Sequence, residues 1–150
     1  MMVLFLPRSA APQTRSSLSI GLQVAQSLDH PELTAIGTHA LIALPATFAI
    51  YPAVLAYSLS SGTAWRLSTT LRWAPGSSLR VGALYIGAGP FLAKHSLGGM
   101  GVKHVGALAQ MGAEPRLGAV RLFLEIQVLS GGPVSAEGVA GLRIAINSHS

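Results

Sequence analysis

Hydrophobic and polar side chains alternate with a period of two between Trp65 and Trp73. The segment reads Trp-Arg-Leu-Ser-Thr-Thr-Leu-Arg-Trp, so an extended strand places both indoles on one face and Arg66 and Arg72 on the other. A helix would scatter the tryptophans around its axis. Residues 74–78 follow with the proline and glycine of a turn, and a second alternating run begins. The apolar positions of that run are Leu79, Val81, Ala83 and Tyr85. Together the two runs predict a β-hairpin.

Similar alternation recurs along the rest of the chain, between turn signals at regular spacing. The predicted strands are residues 17–24, 33–44, 48–59, 65–73, 79–85, 102–111, 120–128 and 142–147. Turn or loop signals lie at residues 29–31, 45–47, 98–99, 112–115 and 130–133. Strands of about ten residues, eight in number, are what the smallest transmembrane barrels contain. We therefore predict one all-β domain over residues 1–150, an eight-stranded antiparallel transmembrane β-barrel, with residues 1–15 a leader or a disordered terminus.

The polar faces of these strands predict a filled lumen. The side chains opposite the apolar faces are Arg66, Arg72, Arg121, Glu125, Gln127, Arg143 and Asn147. In a small barrel they would form an ion-paired, hydrogen-bonded plug. A soluble β-sandwich would show the same alternation, with its polar faces in water. Only 10% of residues are charged and mean hydropathy is +0.51, against about 25% charged residues in average soluble domains. Low charge and the tryptophans and tyrosines favour the membrane.

Charge and residue chemistry exclude several classes of function. The net charge is +5, but the cations are spread singly, so no nucleic-acid partner is predicted. The chain has no cysteine, and its five histidines and five acids lack the spacing of a metal site or a carboxylate pair. Glycine-rich patches at residues 87–89 and 98–101 lack the lysine of a phosphate loop. We predict neither a metal nor a cofactor.

Four segments of the carboxyl-terminal part resemble the lipid A 3-O-deacylase family. They are IGAGPF at 86–91, LAQMGA at 108–113, QVLSGG at 127–132 and GVAGLR at 138–143. The resemblance implies an outer-membrane barrel that acts on lipopolysaccharide by cleaving an ester-linked acyl chain. It also implies that Ser130 is the catalytic serine and that membrane lipid or lipopolysaccharide is the partner. The family's histidine and acid positions hold Val128 and Ala140 here, and a serine without a neighbouring base is a poor nucleophile.

A second resemblance is to the cytochrome b anchor subunit of succinate dehydrogenase. It is carried by residues 33–57 with His39, and by His95 followed by the run at 101–105 that contains His104. That resemblance implies haem held between membrane helices and a place in the mitochondrial inner membrane. A third interpretation is a non-catalytic structural barrel, or the product of an orphan reading frame.

Overall fold

Nine β-strands form a single antiparallel sheet over the residues that the computed structural model describes. These residues are 18–44, 47–59, 62–75, 83–97, 100–117 and 120–146. The strands are β1 (Leu18–Ser27), β2 (Thr34–Ala43), β3 (Phe48–Leu59), β4 (Gly62–Trp73), β5 (Ala83–Leu97), β6 (Met100–Glu114), β7 (Arg116–Leu117), β8 (Val120–Ser130) and β9 (Ser135–Ile146). β7 has only two residues, so eight long strands make up the wall.

The sheet closes on itself. Consecutive long strands pair with one another. β6 pairs directly with β8, because the two-residue β7 lies between them only in sequence. β1 pairs with β9, which completes the barrel. Closure leaves no open edge along the wall, so the backbone amides and carbonyls find partners within the sheet. A sheet in lipid needs this, because hydrocarbon offers no hydrogen bonds. The predicted eight-stranded antiparallel transmembrane barrel is therefore confirmed, and the soluble sandwich is wrong.

Some strands are longer than predicted, because polar or small residues near their ends interrupt the hydrophobic alternation from which the ends were predicted. A break was expected at 112–115, but β6 continues to Glu114 and stops only at Pro115, which lacks a backbone donor. β5 runs twelve positions beyond Tyr85, to Leu97. Several predictions concern residues outside the described ranges and stay predictions. They are the leader at 1–15, turn residues 45–46 and 76–78, the strand positions Leu79 and Val81, the loop at 98–99 and the lumen position of Asn147.

Outward and inward side chains differ as the alternation predicts. Trp65 and Trp73 are 38% and 41% exposed, whereas Arg66 and Arg72 are 2% and 3% exposed. The two indoles are separated by eight positions on β4, about 26 Å along the strand and about 20 Å along the axis of a tilted barrel. That height suits the apolar band of an outer-membrane barrel, which aromatic girdles flank on both sides.

The two ends of the barrel differ in the chain segments they contain. The terminal end is where β1 begins and β9 ends. The hairpin end is opposite, where β1 joins β2, β3 joins β4, β5 joins β6 and β8 joins β9. Trp65 lies toward the hairpin end and Trp73 toward the terminal end.

Glycines on the inward face make room for large side chains from neighbouring strands. A Cβ atom on Gly141 of β9 would lie 2.5 Å from the ring of Phe123, and one on Gly112 of β6 would lie 2.5 Å from the Tyr85 hydroxyl. Such approaches are closer than any real carbon contact, so these positions require glycine. Because glycine has no side chain, the large rings of neighbouring strands fit against these positions, and the narrow interior of an eight-stranded barrel can be filled with side chains.

No helix within the described residues is long and apolar enough to cross a membrane.

Candidate functional site: the filled lumen and its surroundings

An arginine and a glutamate form the centre of the lumen. The Arg72 guanidinium on β4 donates a hydrogen bond to the Glu125 carboxylate on β8, and the Tyr85 hydroxyl donates to the same carboxylate at 2.8 Å. The guanidinium carbon also lies 3.2 Å from the centroid of the Tyr51 ring and 4.4 Å from that of Tyr85. Stacking between two phenol rings stabilises the cation while the carboxylate neutralises it.

Toward the hairpin end the network continues through amide and carboxylate groups. Gln127 donates to Glu125 and accepts from Arg66 at 2.7 Å. Arg66 faces the Glu137 carboxylate at 2.8 Å, in an ion pair that is not aligned as a hydrogen bond. The Tyr57 hydroxyl donates to Glu137 at 2.8 Å. Buried charges are stable only when they are paired in this way.

Near the terminal end a second cluster surrounds Glu114. Its carboxylate accepts from Arg143 and, at 3.3 Å, from Arg121. The Arg121 side chain is 33% exposed, whereas that of Arg143 is 4% exposed. Of the five acidic residues in the chain, three therefore lie inside the barrel: Glu114, Glu125 and Glu137.

An aromatic layer packs beside the central arginine. His39 stacks on Tyr51 and meets Phe123 edge to face, both with ring centroids 5.0 Å apart. The Tyr51 hydroxyl donates to Gln23 at 2.6 Å. Neither nitrogen of His39 has a hydrogen-bond partner among the described residues. This histidine acts as part of the packed interior, and the described residues contain no group of three side chains that could hold a metal ion.

A cavity of about 260 Å³ occupies the hairpin end of the lumen. Its apolar wall comes from Phe91 and Leu129, and the Arg66–Glu137 pair also lines it. His95 and His104 lie at this end with ring centroids 5.6 Å apart and planes nearly perpendicular. Among the described residues, paired side chains fill the middle and the terminal end of the lumen, and this cavity lies at the hairpin end.

Ser130 is the last residue of β8 and is exposed on the outer side, as its parity with Val128 predicts. The hydroxyl donates a hydrogen bond to the Ala107 carbonyl at 3.3 Å. Val128, two positions before it, is 42% exposed on the same face, and Ala140 is exposed on the neighbouring strand β9. His104 belongs to β6 and shares the inward parity of Leu108, so it points to the opposite side of the wall from the Ser130 side chain, although both residues line the cavity at the hairpin end.

Fold and lumen together define a transmembrane β-barrel with a plugged interior. Among solved structures, the chain is similar to the amino-terminal barrel domain of OprF from Pseudomonas aeruginosa, with TM-score 0.69 and 11% identity over 87% of this chain and 98% of that one. It is similar to Neisserial surface protein A, with TM-score 0.61 and 16% identity over 85% and 94%. A third similar structure is the designed transmembrane barrel TMB2.3, with TM-score 0.62 and 14% identity over 89% and 96%. No protein-family model and no curated protein matches the sequence.

These likenesses concern the fold, which is that of eight-stranded outer-membrane barrels. They leave the resemblance to lipid A deacylases, and the role of Ser130, as predictions. The haem-anchor interpretation is wrong, because His39, His95 and His104 lie on strands β2, β5 and β6 of an all-β barrel. A haem between helices has no counterpart in this fold.

Several lumen residues were not predicted from the sequence. Tyr85 was expected on the apolar face of its strand, but it is 5% exposed inside the barrel, and Leu84 and Ile86 face outward. Glu137 shares the inward parity of Arg143, six positions away, so the strand period contained that signal. Glu114 likewise shares the inward parity of Gln110 on β6, but the break expected at 112–115 placed it outside the predicted strand.

Proposed function

We propose that this chain is a bacterial outer-membrane protein that binds lipopolysaccharide on its outer surface and does not conduct solutes. The observation that supports this is the charge distribution of the lumen, where Arg66, Arg72 and Arg143 all face glutamates at close range. A pathway for ions or sugars needs polar groups that water can reach. The charged groups of this lumen are instead buried and paired with one another. The remaining large surface is the lipid-facing wall.

The membrane assignment is supported by the similarity to OprF and Neisserial surface protein A and by the girdle positions of Trp65 and Trp73. Lipopolysaccharide as the partner is supported by the resemblance of the carboxyl-terminal segments to lipid A deacylases. A net charge of +5 also favours an anionic lipid.

A reconstitution experiment tests both parts of this proposal. Refolded full-length chain in planar bilayers is expected to give no stepwise conductance, and to bind lipopolysaccharide more tightly than phosphatidylcholine in a vesicle competition assay. On a sucrose gradient of cells that express the chain, we expect it in the outer-membrane fraction. Steady single-channel currents, or equal binding of the two lipids, would contradict the proposal.

Ester hydrolysis through Ser130 is a second candidate. Its support is the outward position of the hydroxyl at the end of the apolar band, on the side where a lipid ester would approach. Because Val128 stands where a base is needed, we expect little or no lipid A deacylation by the native chain. Val128→His is expected to raise it only partly, since Ala140 leaves the imidazole without an orienting carboxylate.

Mass spectrometry of lipid A from expressing cells measures this activity directly. The control is Val128→His with Ser130→Ala, in which any gained deacylation should vanish. Deacylation by the native chain that survives Ser130→Ala would show that the active site lies elsewhere.

A further inference from the structure

Two lysines face each other on the outer surface of the β5–β6 hairpin. Lys94 and Lys103 are paired in register, and both point outward, between the inward positions Ala93, His95 and His104. Every other charged strand residue whose burial the structure describes points into the lumen. Like charges directly opposite on a sheet repel each other. No carboxylate among the described residues lies within ion-pair distance of either lysine.

The lysine pair lies at one aromatic girdle. Trp65 is paired with Lys94 in register, and Lys94 with Lys103, so the indole and both lysines occupy neighbouring positions on three adjacent strands. A Cβ on Gly101 would lie 3.1 Å from Cε and 3.9 Å from Nζ of Lys94. Since Gly101 is nearer the hairpin end than Lys103, the Lys94 side chain leans out of the apolar band. Long cationic side chains take this direction when their charge lies among lipid headgroups.

Deeper in the band, the same hairpin carries a shallow apolar groove. Ala88 is paired with Ala109 across β5 and β6, and both are exposed. Larger side chains border them, and the groove has a volume of about 510 Å³. The bordering side chains include Leu71, Trp73, Ile126 and Val128. Six positions separate Ala88 from Lys94, about 20 Å along a tilted strand and hence about 15 Å in depth, which is one leaflet of hydrocarbon.

We propose that the outer face of the β5–β6 hairpin is a lipid A site, with Lys94 and Lys103 on a phosphate and the Ala88–Ala109 groove around an acyl chain. This inference rests on the proposed function and names the surface that performs it. A phosphate monoester carries a charge of about −1.5 to −2, which offsets both ammonium groups, whereas the single charge of a phospholipid diester does not. The distance between the lysines and the groove matches a headgroup and a chain of one molecule.

Native mass spectrometry of the refolded full chain tests the headgroup half of the site. The probes are bisphosphorylated lipid A, dephosphorylated lipid A, phosphatidylglycerol and phosphatidylcholine. The native chain should prefer the first, and Lys94→Gln with Lys103→Gln should weaken that binding about 30-fold. Lys94→Arg with Lys103→Arg keeps the charges and should stay within about threefold of the native affinity.

Net charge is controlled by a variant that keeps it constant. Lys103→Gln with Glu32→Gln has the native net charge of +5 but lacks one lysine of the pair. It should bind lipid A about fivefold more weakly, like Lys103→Gln alone. Native affinity in this variant would mean that total charge and not the pair attracts the lipid, which would overturn the inference.

The groove is tested by filling it. Ala88→Leu with Ala109→Leu adds two side chains where the acyl chain is placed, and should weaken lipid A binding about tenfold. Ala56→Leu, at an outward alanine on β3, is the matched control and should leave binding unchanged. All variants should show the native unfolding midpoint, because each altered side chain faces lipid or solvent.

The outcomes separate the two proposals. If the native chain does not prefer lipid A to phosphatidylglycerol, the phosphate assignment is wrong. If it prefers lipid A but the paired Lys→Gln variant binds equally well, lipid binding stands and this surface is wrong. If it binds neither lipid more tightly than phosphatidylcholine, the proposed function fails as well.

Discussion

The inner and outer faces of the barrel are built from the same strands and obey opposite rules. On β8 the outward residues Leu124 and Ile126 are 65% and 50% exposed, and their inward neighbours Phe123 and Glu125 are 1% and 4% exposed. In a soluble protein the apolar set would be inside. Here lipid solvates the apolar face, so each polar group on the inner face must find its partner within the protein.

Residues on the inner face make specific interactions with named partners, whereas residues on the outer face make unspecific ones. An inner residue such as Glu125 has three named partners, Arg72, Tyr85 and Gln127, and cannot be replaced alone. An outer residue such as Ile126 is 50% exposed on the apolar face, where lipid adapts to any apolar shape. Substitutions on the inner face should therefore depend on identity, and those on the outer face on polarity and depth.

The largest effect is expected from breaking the central ion pair. Glu125→Leu leaves Arg72 buried without its carboxylate and should lower the free energy of unfolding by about 3–5 kcal/mol. Arg72→Leu with Glu125→Leu should cost less than the single change, because no unpaired charge remains. Urea unfolding in lipid vesicles, followed by tryptophan fluorescence, measures both.

The control for that pair is the next residue on β8. Ile126→Ala alters an outward side chain at the same level and should cost about 0.5 kcal/mol or less. An equal loss from Ile126→Ala and Glu125→Leu would mean that the two faces do not differ as described.

A charge placed on the outer face tests the other half of the comparison. Thr69 lies midway between the two tryptophans on β4 and faces lipid, and Thr63 lies on the same face beyond Trp65. Thr69→Arg should cost about 2–4 kcal/mol because it places a cation near the middle of the bilayer, and Thr63→Arg about 0–1 kcal/mol. The same unfolding assay compares them. Equal costs would show that the apolar band is not centred on β4 between the indoles.

The third effect concerns room inside the wall. Gly141→Val would place carbons against the Phe123 ring and the Leu22 carbonyl oxygen, each 2.5 Å from a Cβ, and should cost about 1–3 kcal/mol. Gly138, on the outward face of β9, has its nearest neighbour at 3.7 Å, so Gly138→Val should be nearly neutral. Differential scanning calorimetry in detergent would rank the two midpoints. A larger shift for Gly138→Val would contradict the assigned parity of β9.

Strand period explains how much of this molecule was predictable from its sequence. The faces of β4 and β8 follow from alternation alone, because a bilayer and a packed lumen select opposite residue types at successive positions. β5 was less clear, since alanine occurs on both of its faces, at Ala88 outward and Ala93 inward, and Tyr85 is apolar enough to suit either.

Pairing partners across the lumen were beyond sequence reasoning. Arg72 meets Glu125 across 53 positions and Tyr57 meets Glu137 across 80, because closure of the barrel sets which strands face each other. The lysine pair on β5 and β6 depends in the same way on register, which the long strand ends determine. The candidate lipid site is therefore a product of topology, and Ser130 was found only because a family motif marks it.

The smallest effect should come from the rim of the lumen, where the two faces meet water. Arg121 and Arg143 bind the same Glu114 carboxylate, but the Arg121 side chain is 33% exposed and the Arg143 side chain 4% exposed. Water screens the more exposed Arg121. Arg121→Gln should therefore lower the free energy of unfolding by about 0.5 kcal/mol, and this effect should disappear in high salt. Arg143→Gln should cost several times more and respond little to salt, because its partner is left buried. Urea unfolding at low and high sodium chloride distinguishes them, and an equal salt response would mean that solvent reaches Glu114 from both sides.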